Sequence, residues 1–166
     1  MRVLGIDPGT RYTGIGIIEA QAQSYRMIYE TTLAVPKDLE MAQKVHWIYR
    51  RILEVITEYK PEVMAIEGFL YGKDLRAMMR VGQARSCAML AASESGIDVV
   101  EYTPTRVKQA VSGNGHAAKD QVQHMVKTLL NLKALPQEDS ADALAIAICH
   151  VHSSGGLRKV LATLGR

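Results

Sequence analysis

Four acidic residues in this sequence stand where an ionised side chain needs a partner. Asp7 ends the apolar run "VLGI", and Glu67 ends the apolar run "VMAI". Asp139 and Asp142 are three residues apart, so on a helix they share one face, with Cβ atoms about 5–6 Å from each other. A carboxylate at the end of an apolar element is costly to desolvate unless a cation neutralises it. None of the four has a Lys or Arg at ion-pair spacing within its own element.

A divalent metal ion would supply the missing positive charge. Magnesium prefers hard oxygen ligands at about 2.0–2.1 Å and keeps several waters, so a few carboxylates from separate elements are sufficient. Two such ions about 3.5–4 Å apart can activate a water and stabilise the leaving oxygen in phosphodiester hydrolysis. The four acids therefore indicate a hydrolytic metal site.

Each acid also has a simpler interpretation, which the residues alone leave open. Asp139 and Asp142 match an N-cap acid with a partner three residues on, and acids in a first turn are favoured by the helix dipole. Asp7 before "PG" fits a turn aspartate, and Glu67 before Gly68 fits a strand that emerges into water. Because all four acids share a placement at the ends of apolar elements, we favour the metal site.

The elements that must position these acids follow from hydrophobic periodicity. Strands are predicted at 2–7, 12–20, 25–35, 63–66 and 97–102, and helices at about 41–60, 74–95, 104–111 and 117–131. A last helix begins near "PQED" and is apolar on every side from Ala143 to Cys149, so it must be largely buried. This order predicts an α/β fold with a mixed five-stranded sheet and helices on both faces, as in ribonuclease H-like folds.

Composition sets the outer limits. The 166 residues are 48% hydrophobic and 22% charged, which predicts one globular domain over 1–166. A C-terminal tail at about 155–166 is the alternative for the end of the chain. With no apolar run near 20 residues and no secretory signal, we expect a cytoplasmic protein that does not enter membranes. Cys87 and Cys149 lie in apolar helical patterns and are expected in the core. Residues 71–133 carry 9 Lys and Arg against 5 Asp and Glu, a basic excess that permits an anionic partner without requiring one.

Five segments together resemble successive motifs of the bacterial RuvC family of Holliday junction resolvases, namely "GIDPGTRYTG", "AIEGF", "GQAR", "VKQAVSGNGHAAKDQV" and "DSADALAIAICH". The resemblance implies a ribonuclease H-like fold and a homodimer that nicks two opposed strands of a four-way DNA junction, leaving ligatable ends, in recombination and DNA repair. It implies two Mg²⁺ ions per active site, with Mn²⁺ able to substitute. It also implies a branch-migration motor and junction-binding proteins as partners.

The resemblance also assigns roles to individual residues. Asp7, Glu67, Asp139 and Asp142 fall where the family has its magnesium-binding catalytic acids. Lys108 and Lys119 fall where it has lysines near the scissile phosphate, and Lys119 is expected to stabilise charge developing there. Without the resemblance, the alternative is that both lysines are solvated residues on helix surfaces.

The expected DNA-contacting residues are Phe69, Tyr71, Arg76, Lys108 and Lys119. After the catalytic glutamate the family typically has an aromatic residue that stacks at the junction centre, but here Leu70 falls at that place. We expect Phe69 to take the stacking role, although an aromatic ring folded back over the sheet edge is the alternative.

The helix at 74–95 bears on assembly because its apolar residues cover more than one face. One face can pack on the sheet, and burial of the other in a twofold dimer would pair two active sites. The alternative is a helix covered by its own domain.

Two other functions are also compatible with the sequence. They are a nuclease related to those that trim ribosomal RNA precursors and a junction-binding module without catalysis.

Overall fold

The computed structural model describes residues 1–21, 24–68 and 74–164, and those from 156 onward by their backbone alone. Its sheet is built from β1 (Arg2–Asp7), β2 (Tyr12–Gln21), β3 (Ser24–Ala34), β4 (Val63–Glu67) and β5 (Asp98–Tyr102). The strand order is β3-β2-β1-β4-β5. The first three strands pair antiparallel, whereas β4 is parallel to β1 and β5 is parallel to β4. This mixed five-stranded sheet confirms the prediction.

Five helices flank the sheet: α1 (Met41–Tyr59), α2 (Leu75–Glu94), α3 (Pro104–Ser112), α4 (Lys119–Leu129) and α5 (Glu138–Leu164). Helices α1 and α2 pack on one face, and α3, α4 and α5 cover the other. The boundaries lie within about two residues of those predicted, except that α5 continues to Leu164, through residues that the sequence left open as a tail. The fourth helix begins at Lys119 rather than 117 because Ala118 has an extended backbone, with ψ of 157°.

The two faces of the sheet follow from the alternation of side chains along each strand. Leu4 and Ile6 point towards α1 and α2, in one buried cluster. Val3 lies in the other cluster, with α5, and the period of two places Gly5 and Asp7 on the same face as Val3. By the same alternation, Glu67 shares this face with Val63 and Ala65 of β4. Asp7 and Glu67 therefore lie on the side of the sheet that α5 covers.

Helix α5 packs unusually close to this face because the strands present glycines there. A Cβ atom on Gly14 would lie 1.9 Å from the carbonyl oxygen of Asp139, and one on Gly5 would lie 1.9 Å from that of Ala143. Gly14 is the β2 partner of Asp7 in the sheet register. The missing side chains thus allow the first turn of α5 to lie directly against the strand pair that ends in Asp7.

The buried segment of α5 is as predicted, since residues Ala143 to Cys149 are at most 1% exposed. Helix α2 also matches its prediction: Ala84, Cys87, Ala88, Ala91 and Ala92 are buried, while other apolar residues of the helix remain exposed. Among the described residues, no helix is both long and apolar enough to cross a membrane.

Candidate active site

Two of the four acids meet because their strands are parallel neighbours. In the register of β1 and β4, Ile6 pairs with Ile66, so Asp7 and Glu67 are the next residues along each strand. The carboxyl ends of parallel strands lie at the same edge of a sheet, and neighbouring strands are about 4.8 Å apart. The two carboxylates consequently reach the same region above the sheet.

Helix α5 supplies the other two acids. Asp139 lies in its first turn and Asp142 follows three residues later, on the same side of the helix. The hydroxyl of the buried Ser140 donates a hydrogen bond to the Glu30 carboxylate on β3, which holds the beginning of α5 against the sheet. Because α5 begins at Glu138, Asp139 lies inside the helix rather than at an N-cap position.

A cavity of about 300 Å³ opens at this point. It is lined by Asp7, Glu67, Asp142, Lys108 and Lys119, together with Pro104, Val107, Val122 and Ile146. Asp139 is not among the lining residues, but its negative charge raises the pKa of both Asp7 and Asp142. The structure thus brings all four predicted acids and both predicted lysines into one neighbourhood.

The acids are electrostatically unsatisfied. Burial, followed by repulsion from Asp142, Glu67 and Asp139, raises the pKa of Asp7 from 3.8 to about 7. Burial and then repulsion from Asp142 raise the pKa of Glu67. Burial also raises the pKa of Asp142, although Lys119 opposes the shift. The site therefore stabilises added positive charge.

One cation already approaches from another element. Lys119, the first residue of α4, places its Nζ 2.6 Å from Oε1 of Glu138 and 3.7 Å from Oδ2 of Asp142. The hydrogen bond to Glu138 raises the pKa of Lys119, so the ammonium stays protonated. Lys119 and Lys108 together bring two positive charges to four acids, which leaves a deficit of positive charge in the cavity.

The donor set fits a hard divalent cation. All the candidate ligands are carboxylate oxygens, which magnesium prefers, and the cavity has room for the waters that this ion retains. Within the described ranges, no three His, Cys, Asp or Glu side chains are already arranged to hold a metal ion.

The expected DNA-contacting residues divide into two groups. Lys108 and Lys119 line the cavity, and Arg76 is exposed in the first turn of α2. Phe69 and Tyr71 lie outside the described residues, so the identity of the stacking aromatic stays a prediction.

Sequence reasoning missed several residues that shape the site. Glu138 binds Lys119, and Ser140 binds Glu30, but both contacts join residues remote in sequence and leave no local pattern. Gly14 did leave a signal, because a glycine inside a strand often marks a close backbone approach. The buried Arg85 falls in the "GQAR" segment, which resembles a family motif but has no residue with a role assigned from the sequence.

Comparisons with known proteins identify the family of this chain. The model of the family described as crossover junction endodeoxyribonuclease RuvC matches residues 3–150. The chain belongs to the RuvC family. RuvC of Geobacter metallireducens is 45% identical over 166 residues, covering 99% of both chains. RuvC of Geobacter sulfurreducens is 47% identical over 156 residues, covering 93% of this chain and 94% of that one.

Solved RuvC structures share the fold. Thermus thermophilus RuvC in complex with a Holliday junction substrate superposes with a TM-score of 0.88 at 35% identity, over 93% of this chain and 94% of that one. A yeast mitochondrial Holliday junction resolvase gives a TM-score of 0.64 at 15% identity, over 89% of this chain and 77% of that one, a likeness of fold alone. The ribonuclease H-like fold predicted from the sequence is thereby confirmed.

Proposed function

We propose that this chain is an endodeoxyribonuclease that resolves four-way (Holliday) DNA junctions by paired, symmetric phosphodiester hydrolysis. The observation that carries the proposal is the open cavity in which Asp7, Glu67 and Asp142 meet Lys108 and Lys119. Its acids require positive charge, and its lysines suit an anionic phosphodiester. The RuvC relatives named as crossover junction endodeoxyribonucleases support this activity, and the T. thermophilus complex supports the junction as substrate.

The four acids would hold two magnesium ions, with manganese able to substitute because it accepts similar oxygen ligands. Ions bound there would activate a water and stabilise the leaving oxygen of the cut strand. Asp7 and Glu67, on adjacent strand ends, supply ligands from the sheet, and Asp139 and Asp142 supply them from α5. Binding requires the carboxylates in their ionised form, so the raised pKa of Asp7 makes metal and proton compete.

The lysines would orient the phosphodiester over these acids. Lys119 lies beside Asp142 and would stabilise charge that develops on the scissile phosphate. Lys108 lies at the α3 side of the cavity and would contact the DNA backbone. Gly113, between α3 and α4, has a φ of 75° and ends α3, which turns the chain back towards Lys119.

We further infer that the active unit is a homodimer formed through α2. Most of the exposed large hydrophobic residues in the described part of the chain belong to this helix, and they are Leu75, Met79, Val81, Met89 and Leu90. An apolar groove of about 810 Å³ lies between α1 and α2, and Leu90, which is 59% exposed, lines it. A second copy related by a twofold axis would cover this surface and present two equivalent sites to two equivalent strands.

The dimer is tested by light scattering. We expect a species of twice 18.3 kDa, and we expect Leu90→Glu to convert it into monomers. Leu135→Glu is the matched control, since Leu135 is 44% exposed but lies outside α2. A wild-type protein that stays at 18.3 kDa at micromolar concentration would contradict the dimer.

The activity is tested with a synthetic four-way junction. We expect cutting of opposed strands in magnesium, ligatable nicks, and loss of cutting with retained binding for Asp7→Asn. Cutting of structured RNA in preference to the junction would instead support the RNA-processing nuclease. Junction binding with no metal-dependent cutting would support the non-catalytic module.

Backbone contacts are tested by the salt dependence of binding. Each lysine–phosphate contact contributes about one unit to the slope of log K against log salt, so Lys108→Ala should reduce that slope by about one. An unchanged slope would remove Lys108 from the interface. The resemblance also suggests a branch-migration motor and junction-binding proteins as partners, and a DNA substrate accords with the cytoplasmic location expected above.

A further inference from the structure

Arg85 is a charged residue buried in the core of a helix face that otherwise consists of small apolar side chains. It lies in α2 and is 8% exposed, and its neighbours Ala84 and Ala88 are fully buried. Burial of a guanidinium is costly unless the group is both paired and hydrogen-bonded. Its partners therefore indicate what the residue is for.

The guanidinium of Arg85 joins two points at the end of β4. Its Nη1 donates a hydrogen bond of 2.5 Å to the main-chain carbonyl of Glu67. Its Nη2 forms an ion pair with the carboxylate of Glu101 on β5. A planar guanidinium can hold both acceptors at once, whereas the single ammonium of a lysine cannot reproduce the fork.

The contact is made to the residue whose side chain enters the cavity. Glu67 is the last residue of β4, and the sheet register ends with its pairing to Tyr102. The next residue, Gly68, donates its N–H to the Tyr102 carbonyl at 2.7 Å. The backbone around Glu67 is thus fixed by β5 on one side and by Arg85 on the other.

We propose that Arg85 is a positioning residue for catalysis: it clamps the Glu67 carbonyl and so fixes the direction from which the Glu67 carboxylate enters the metal-binding cavity. This rests on the nuclease function proposed above. The largest electrostatic effects on the Glu67 carboxylate come from Asp142, Lys119 and Lys108, so Arg85 acts through the main chain. It also links α2, the proposed dimer helix, to the catalytic strand.

The effect of losing the clamp can be scaled from geometry. A misplacement of about 1 Å at a reacting centre can cost on the order of 100-fold in rate. Arg85 is buried beneath the site and does not line the cavity, so its loss should leave junction affinity unchanged. Glu101 is 52% exposed and can be solvated when Arg85 is replaced, which limits the damage to folding.

The experiment compares Arg85→Gln, Arg85→Lys and Glu101→Gln with the wild-type protein. Single-turnover cutting is measured at saturating junction and magnesium, and junction Kd is measured with Ca²⁺ in place of magnesium. We expect Arg85→Gln to cut 10- to 100-fold more slowly with a Kd within twofold of wild type. Glu101→Gln keeps the bond to the Glu67 carbonyl, and we expect it to cut within threefold of wild type.

A second readout does not depend on cutting. Magnesium should raise the melting temperature of the wild-type protein, and the magnesium concentration for half of that rise should increase for Arg85→Gln, because Glu67 is less well placed as a ligand. If the wild-type protein cuts no junction, the proposed function fails, while this titration still tests Arg85.

Several results would overturn the inference. One is a wild-type rate and magnesium midpoint for Arg85→Gln, and another is an equal loss in Glu101→Gln. If Arg85→Gln does not fold, Arg85→Lys decides, since it keeps a charge beside Glu101. It should show at least a fivefold slower rate at a near-normal melting temperature, and a wild-type rate would refute the clamp.

Discussion

Replacement of Gly14 by alanine tests whether the close approach of α5 to the sheet is what assembles the active site. The added Cβ would lie 1.9 Å from the Asp139 carbonyl oxygen, 2.5 Å from its carbonyl carbon and 3.2 Å from the Ser140 nitrogen. All three are main-chain atoms, so no side-chain rotation can relieve the clash. Real Cβ contacts essentially never fall below 3.0 Å, so the helix and strand must separate by about 1.1 Å.

This displacement acts on the two acids of α5 relative to the two acids of the sheet. A shift of about 1 Å costs on the order of 100-fold in rate when reacting groups must be aligned. Overpacking of a tight interface typically costs about 1–3 kcal/mol in the free energy of unfolding. We therefore expect Gly14→Ala to fold with reduced stability in urea and to cut a four-way junction about 100-fold more slowly.

Gly155→Ala is the matched control because it adds the same methyl group to α5 in open space, with no atom within 4 Å apart from the adjacent residues and the backbone of its own helix. We expect its cutting rate to equal that of wild type, and its stability to be equal or up to about 1 kcal/mol higher, since alanine favours a helix over glycine. A Gly14→Ala protein with wild-type stability and cutting rate would refute the role assigned to the contact between β2 and α5.

Three further predictions concern charge. Asp7→Asn should reduce cutting by more than about 100-fold, because it removes one of the proposed metal ligands. It should also stabilise the metal-free protein at pH 8, because the native pKa of about 7 means that folding favours the protonated acid. In the wild-type protein, the stability that Asp7 contributes is full below pH about 4 and is lost as pH rises to about 7, by up to about 4 kcal/mol. The variant does not lose it, so its gain over wild type should grow across this range, which urea titrations check. At subsaturating magnesium, cutting should fall as pH drops through about 7 and recover with added magnesium, and a pH-independent rate would count against metal–proton competition. Lys119→Ala should slow cutting by about 10²–10³-fold, because it removes charge stabilisation at the phosphate. It should also move this pH midpoint upward, because the ammonium lowers the pKa of Asp7. Lys127→Ala, in the last turn of α4, should change neither the rate nor the midpoint.

The part of the site that belongs to strand ends was predictable from sequence. Short apolar runs that stop at an acid indicate a buried strand with its terminus at the sheet edge, and this places Asp7 and Glu67 correctly. The spacing of Asp139 and Asp142 likewise fixes their common helix face. These inferences hold because they depend on local periodicity, which the chain encodes within a few residues.

The contacts between elements were not predictable in the same way. The sequence shows no Lys or Arg at ion-pair spacing from the acids within their own elements. In the structure, Lys119 of α4 forms ion pairs with Glu138 and Asp142. Arg85 reaches the carbonyl of Glu67, 18 residues away. Such pairings arise from how helices pack on the sheet, and a single sequence carries no periodic signal for them. The stacking roles of Phe69 and Tyr71 stay predictions.

The distribution of the acids has a consequence for synthesis of the protein. The chain leaves the ribosome from its N-terminus, so the strands that carry Asp7 and Glu67 emerge well before the helix that carries the other two acids. Until that helix packs against the glycines of β1 and β2, two of the four proposed ligands are absent and one face of the sheet is uncovered. Under the proposed function, a nascent or prematurely terminated chain could not hydrolyse DNA, because the proposed metal site would be complete only after α5 packs on the sheet.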